Sequence, residues 1–214
     1  MFDTEFVVPK YPHMIFYQFC KDWVCANSES NAIQVCSASI AWVPPPTGWV
    51  KLNVDGSCVG NLGTITSGGV ICDHLKNWVR GFVLHKGVGS VLEAECWGLY
   101  EGLDMAWRSG HRQVIVEIDS LCLVQLLAQE LPVNHPLFSI IQGCSELISA
   151  DWCCVVKHVY REGNRLADSL ARLGHGLAVG IQYFEAPPLE VYLFFQDDWN
   201  GLAIPRSYRS SPIP

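Results

Sequence analysis

The sequence predicts a mixed α/β domain: one sheet with helices packed on it, its elements in the order β-β-β-α-β-α-α-β-α. Two observations carry this. Three strand-like runs, joined by short turns, fill residues 49–85 before any helical period appears, and helical and strand periods alternate from Ser90 onward. A third sets the scale: of 214 residues half are hydrophobic and 16% are charged, enough for a sizeable core.

In "WVKLNVDGS", Val50, Leu52 and Val54 alternate with Lys51, Asn53 and Asp55, which predicts a strand with one buried face ending at Asp55-Gly56. The turn "GNLG" follows, then "SGGVICDH" and "WVRGFVLH" joined by "LKN", a meander. Ser90 and Glu93 form a capping-box pattern. Leu92, Cys96, Leu99, Leu103 and Trp107 recur at helical spacing until Gly110 stops the run. "RQVIVEIDS" is a fourth strand and runs into a helix over 119–131, which Pro132 and Pro136 separate from a further helix in "LFSIIQGCSELISA". "DWCCVVKHV" is the last strand and residues 165–173 the last helix, with Leu166, Leu170 and Leu173 on one face and Asp168 with Asn164 and Ala171 on the other.

Composition divides the chain further. "AWVPPPTGW" marks a boundary, since consecutive prolines favour an extended spacer. Residues 1–47 are expected to be an N-terminal arm and Pro-rich linker, 48–175 the folded domain, and 176–214 a tail whose apolar patch "PPLEVYLFF" docks back on it. The extensions are where any protein partner is expected to engage; a monomer is expected.

The net charge is −7, and residues 48–175 carry ten Lys+Arg against thirteen Asp+Glu. A strong, purely electrostatic nucleic-acid binder is therefore not expected, because affinity for phosphates comes mainly from Lys and Arg. The ten cysteines include no CxxC pair, and most lie in apolar runs, so buried reduced thiols in an intracellular, reducing setting are expected. No membrane span is expected, since no run of about 18 apolar residues occurs.

In such a sheet, chemistry gathers where strands end and helices begin. Asp55 and Asp119 close the first and fourth strands, Glu95 lies one turn inside the first helix, and Asp168 lies near the start of the last. Each has a plainer explanation: a turn residue, a helix cap, a solvated helix flank, an acid at a helix N-terminus. Together they suggest one site, and carboxylates packed together need a counter-charge. Magnesium, held by carboxylates and water, supplies it, and two ions would clamp the attacking and leaving oxygens of a phosphodiester.

"KLNVDGSCVGN", "EAECWGLYEGLDMA", "VIVEIDS" and "KHVYREGNRLADSLARL", in this order, resemble the successive motifs of the type 1 ribonuclease H family. The closer resemblance is to the reverse-transcriptase-like subfamily abundant in plants and related to non-LTR retroelements. It covers about residues 48–175 and implies an RNase H-like fold with a five-stranded mixed sheet and flanking helices. It implies an endoribonuclease that cleaves the RNA strand of an RNA–DNA hybrid with two Mg2+ ions, for which Mn2+ can substitute. Asp55, Glu95, Asp119 and Asp168 match the family's metal-binding carboxylates. His158 matches the mobile histidine assigned to proton transfer or product release. Gly56, Ser57, Asn61 and Ser120 match hybrid-contacting positions, and Asn164 is grouped with them.

The sequence departs from the family at the substrate grip. Leu62 stands for a usual proline, Cys72 for an arginine of plant relatives, and Val91 and Leu92 for asparagines of bacterial relatives, whose basic protrusion is also missing. The competing expectation is thus a catalytically weak or inactive domesticated retroelement fragment that binds nucleic acid or protein. Asp55 followed by Gly56-Ser57, where a D-x-E pair is needed, disfavours a proofreading-type exonuclease, and Asp168 in place of Glu disfavours an integrase-type triad.

Overall fold

The computed structural model describes residues 34–60 and 63–210. Ala38–Arg206 forms one compact unit. Residues 1–33, which hold most of the expected N-terminal arm, lie outside the described residues. The strands are β1 (Gln34–Ile40), β2 (Val50–Val59), β3 (Gly63–Asp73), β4 (Trp78–Gly89), β5 (Gln113–Ile118), β6 (Cys153–His158), β7 (Gly180–Phe184) and β8 (Ile204–Ser210). The helices are α1 (Val91–Arg108), α2 (Leu121–Leu127), α3 (Phe138–Ile148), α4 (Arg165–Leu173) and α5 (Tyr192–Asn200).

The main sheet has the order β6-β5-β2-β3-β4-β7, and β1 pairs with β8 in a separate two-stranded sheet. β2, β3 and β4 form the expected meander, while β5 is parallel to both β2 and β6. The sheet has six strands rather than five. β7, from the segment expected to be a docking tail, pairs antiparallel with β4 from Gly81–Phe184 to His85–Gly180.

One face of the sheet carries α1, α2 and α3 over Leu52, Val54, Val114, Val116 and Ile118. α1 starts where expected, with both halves of the Ser90–Glu93 capping box formed. Its row of small residues, Ala94, Gly98, Gly102 and Ala106, is buried, and Gly98 lies directly over the Asp55 carbonyl. α2 ends at Leu127, short of the expected Leu131, with Pro132 ahead; a proline disfavours helical backbone in the residue before it.

The other face carries α4, whose Leu166 and Leu170 join Val70, Cys72, Val83, Val191 and Trp42 in a second core, with Phe184, Phe194 and Phe195 packed against it. One expectation changes here: Trp42, placed in the spacer, is a core residue. The tail's Val191, Phe194 and Phe195 join the same core. β2 is therefore buried on both faces, because a central strand is covered from both sides. Lys51, Asn53 and Asp55 are buried along with Leu52 and Val54. β2 also continues past Asp55-Gly56 to Val59, paired with β3 throughout, so Asp55 is a strand residue and not a turn residue. Of the seven cysteines whose side chains are described, all free, Cys72, Cys96 and Cys144 are buried, and Cys122 and Cys153 are exposed. Among the described residues no helix is long and apolar enough to cross a membrane.

Candidate active site

β2 and β5 are parallel and in register up to the pair Val54–Ile118. The next residue of each is an acid, Asp55 and Asp119, so parallel pairing alone delivers two carboxylates to one edge of the sheet. The Asp119 side chain is free to face that edge because Ser120 caps α2, accepting a hydrogen bond from the Leu123 N–H at 3.4 Å. Glu95 arrives from the first turns of α1, which crosses β2 in close contact: a Cβ on Gly56 would lie 2.4 Å from the Glu95 backbone nitrogen. Carboxylate oxygens of Asp55, Glu95 and Asp119 all lie within 4.8 Å of one another.

The electrostatics follow from that convergence. Burial first, then the charges of Glu95, Asp119 and Asp168, push Asp55 up to about 10. Burial first, then Asp119, raises Glu95 to about 8, against the pull of a hydrogen bond from the Gly56 backbone. Burial also raises Asp119, opposed by its hydrogen bond to Asp55 and by the positive charge of Arg161. Glu95 Oε2 is buried with no hydrogen-bond partner. A cluster of hard oxygen donors, mutually repelling and holding an unpartnered buried oxygen, fits a divalent cation of the magnesium or calcium type.

Asp168 stands beside this triad. It lies in the first turn of α4, and its carboxylate pairs with Arg161 at 2.9 Å and with Arg172 at 2.9 Å. Its charge still reaches Asp55, Glu95 and Asp119. α4 sits close to β3 because Gly68 has no side chain; a Cβ there would be 2.3 Å from the Ala171 nitrogen. The small-residue approach expected on the Asp168 side of this helix is thus present. His158 is the last residue of β6, in register with Ile118, and is exposed with its ring edge-on to Tyr160. It is at the strand end that carries Asp119.

Of the expected hybrid contacts, Gly56, Ser57 and Ser120 are partly accessible. The Ser57 hydroxyl is hydrogen-bonded to His175 Nε2 at 2.9 Å. Asn61 lies outside the described residues. Asn164 is a correction: it is buried, its Nδ2 donates to the Val54 carbonyl at 2.9 Å, and its Oδ1 accepts from Asn53 Nδ2 at 3.0 Å. Both polar atoms are engaged inside the protein, and the residue is 1% exposed, so it is not presented at the surface.

A buried polar cluster under the site was not anticipated. Lys51 Nζ pairs with Glu117 and donates to the Val43 carbonyl at 2.6 Å. Asn53 donates to Glu117 at 3.0 Å and accepts from the Trp42 indole N–H at 2.8 Å. The available signal was the pairing of "KLNVD" with "VIVEID" in register, which sets Lys51 and Asn53 beside Glu117. Arg161 was also missed; nothing in its spacing marks it as the partner of Asp168.

The family model described as reverse transcriptase-like matches residues 53–174. The chain belongs to that family. Its ribonuclease H-like domain is 39% identical over 170 residues to an Arabidopsis thaliana protein named "Putative ribonuclease H protein", a match covering 79% of this chain and 27% of that protein. The chain therefore spans about a quarter of the length of this relative. Among solved structures, the domain is similar to the N-terminal RNase H domain of Rv2228c from Mycobacterium tuberculosis, solved as a maltose-binding-protein fusion. That match has 27% identity and a TM-score of 0.55, covering 60% of this chain and 94% of the other. It is also similar to RNase H1 from the halophilic archaeon Halobacterium salinarum, with 25% identity and a TM-score of 0.56, covering 61% and 99%.

Proposed function

We propose that this chain is a metal-dependent endoribonuclease of the type 1 ribonuclease H kind, hydrolysing the RNA strand of RNA–DNA hybrids. The observation that carries the reading is the convergence of Asp55, Glu95 and Asp119, with the unpartnered Glu95 Oε2 among them. Asp55, Glu95 and Asp119 would hold the cations, with Asp168 completing the set from α4. Two Mg2+ ions, or Mn2+ in their place, would supply an activated water and charge stabilisation at the leaving 3′-oxygen.

The chain's own groups do the rest. His158, exposed at the end of β6, would take up or deliver a proton at the rim. Gly56, Ser57 and Ser120 offer small polar groups suited to the 2′-hydroxyls of a shallow minor groove. With few basic residues to engage phosphates, binding is expected to be weak and salt-sensitive.

Incubation of the full chain with a labelled RNA–DNA hybrid, at low salt with magnesium or manganese, tests the reading. The expected products are RNA fragments with 5′-phosphate and 3′-hydroxyl ends and an intact DNA strand. A hybrid left whole under both metals overturns it. The arrangement favouring the competing reading, a slow or silent domain, is the occupation of Asp168 by both Arg161 and Arg172.

A further inference from the structure

Asn164 touches both halves of the site from below. Its side-chain N–H donates to the carbonyl of Val54, the residue before Asp55, and its backbone carbonyl accepts from the Asp168 N–H at 3.1 Å. One residue therefore ties the strand carrying Asp55 to the helical turn carrying Asp168. Asn164 is itself fixed: its Oδ1 accepts from Asn53, whose remaining groups are engaged by Glu117 and by the Trp42 indole. Every amide hydrogen and oxygen of Asn53 that this arrangement uses has a partner, and the members are buried. Satisfied buried networks of this kind are rigid.

We infer that Asn164, held by the Trp42–Asn53 relay, is a positioning residue that sets Asp168 against Asp55, so that the segment before β2 governs the geometry of the fourth carboxylate. The inference rests on the proposed metal site and deepens it. Arg161 and Arg172 alone do not fix Asp168, because both guanidinium side chains are more than half exposed and long. The rigid attachment is the backbone one, through Asn164. A carboxylate that must meet a cation to within a few tenths of an ångström needs such support, and loss of the groups that orient ligands typically weakens metal binding about 10–100-fold.

The test uses the full chain with Asn164→Ala and Asp168→Asn, singly and together, and Trp42→Phe. The first measurement needs neither metal nor nucleic acid: hydrogen exchange of the backbone amides at the start of α4. Asn164→Ala is expected to accelerate exchange there about tenfold, roughly 1.4 kcal/mol of local opening, while α1 keeps its protection. Unchanged α4 exchange overturns the inference. The second measurement is the Mn2+ concentration that half-maximally raises the melting temperature. Asn164→Ala is expected to raise this midpoint about tenfold. In the Asp168→Asn background it is expected to add much less than tenfold, since the proposed effect runs chiefly through Asp168. Additive effects overturn the inference.

Trp42→Phe keeps the aromatic body and removes one N–H, and is expected to move both readouts the same way by about threefold, the worth of one neutral hydrogen bond. It also serves where Asn164→Ala does not fold, and no movement in either readout overturns the relay. A wild-type chain whose melting is indifferent to manganese defeats the metal reading of the site; the positioning role is then decided by exchange alone.

Discussion

Gly56 and Glu95 are in backbone contact, and the absence of a side chain at Gly56 is what brings Glu95 to Asp55. A methyl group there would sit 2.4 Å from the Glu95 nitrogen and 2.6 Å from the Ala94 carbonyl carbon. Neither neighbour is the flexible end of a side chain, so α1 itself would have to retreat. Gly56→Ala is expected to leave the sheet folded and to lower cleavage by about 10²-fold, the penalty of a displacement near 1 Å at a reacting centre. Cleavage rates alongside circular dichroism check this; a variant as active as wild type shows that α1 can yield without moving Glu95.

The acids set the pH dependence of the metal-free protein. Asp55, Glu95 and Asp119 all have folded pKa values above their unfolded values, so the folded state binds more protons than the unfolded state. Stability should then fall as pH rises from about 4, the unfolded carboxylate range, through the Glu95 value of about 8. Asp198, pushed up to about 7 by burial, adds to the same trend. Melting temperatures between pH 5 and 8 in chelator should decline, and Asp55→Asn should melt higher than wild type and decline less. Millimolar magnesium or manganese should reverse the decline in wild type. A metal-free melting temperature that rises over this range contradicts the assignment.

Substitutions at the carboxylates should rank by position. Asp55→Asn and Asp119→Asn are expected to abolish hybrid cleavage, as each removes a carboxylate oxygen donor from the cluster. Asp168→Asn should reduce it, because Asp168 stands beside the triad and not within it. His158→Ala should slow turnover more mildly than the loss of Asp55, within about 10²–10⁴-fold, since water can partly replace a proton carrier. Steady-state rates on one hybrid at fixed salt test the order, and equal effects at Asp55 and His158 would refute it.

The Lys51–Glu117 pair should be structural. Lys51→Met leaves Glu117 buried beside Asn53 without its cation, and is expected to cost about 3–5 kcal/mol. Adding Glu117→Gln should recover much of that loss, because the orphaned charge is the source of it. Urea unfolding of the single and double variants decides; a Lys51→Met loss below about 1 kcal/mol would place the pair among surface ion pairs.

Truncation after Gly176 should destabilise the domain. It removes β7 from the edge of β4, and it removes Val191, Phe184, Phe194 and Phe195 from the core over α4. Burial of even one such side chain contributes about 1.5–3 kcal/mol. Limited proteolysis of the full chain should accordingly leave 177–200 attached, and rapid release of that segment would show it to be a loose tail.

Much of this protein was legible in its sequence because the informative interactions are local or repeat at short period. The alternation in "KLNVD", the Ser90–Glu93 cap and the leucine stripes of α1 and α4 each follow from residues within one turn or one strand. Which ends meet was decided by the strand pairing: β2 and β5 run parallel and in register, and that brings Asp55 and Asp119 together. What the tertiary structure decided depends on coverage of the sheet's second face. Whether Lys51, Asn53 and Glu117 face water or protein cannot be read from alternation, because a polar stripe looks the same in both cases. It was settled by Trp42 from before the sheet and by the segment after α4, which close over that face from opposite ends of the chain. Asn164 is likewise held inside, bonded to Val54 and Asn53 of β2. Sequence period reports which residues share a face; only the assembled layers determine whether that face is solvated, and with it whether a polar side chain is free to bind or must find its partners inside.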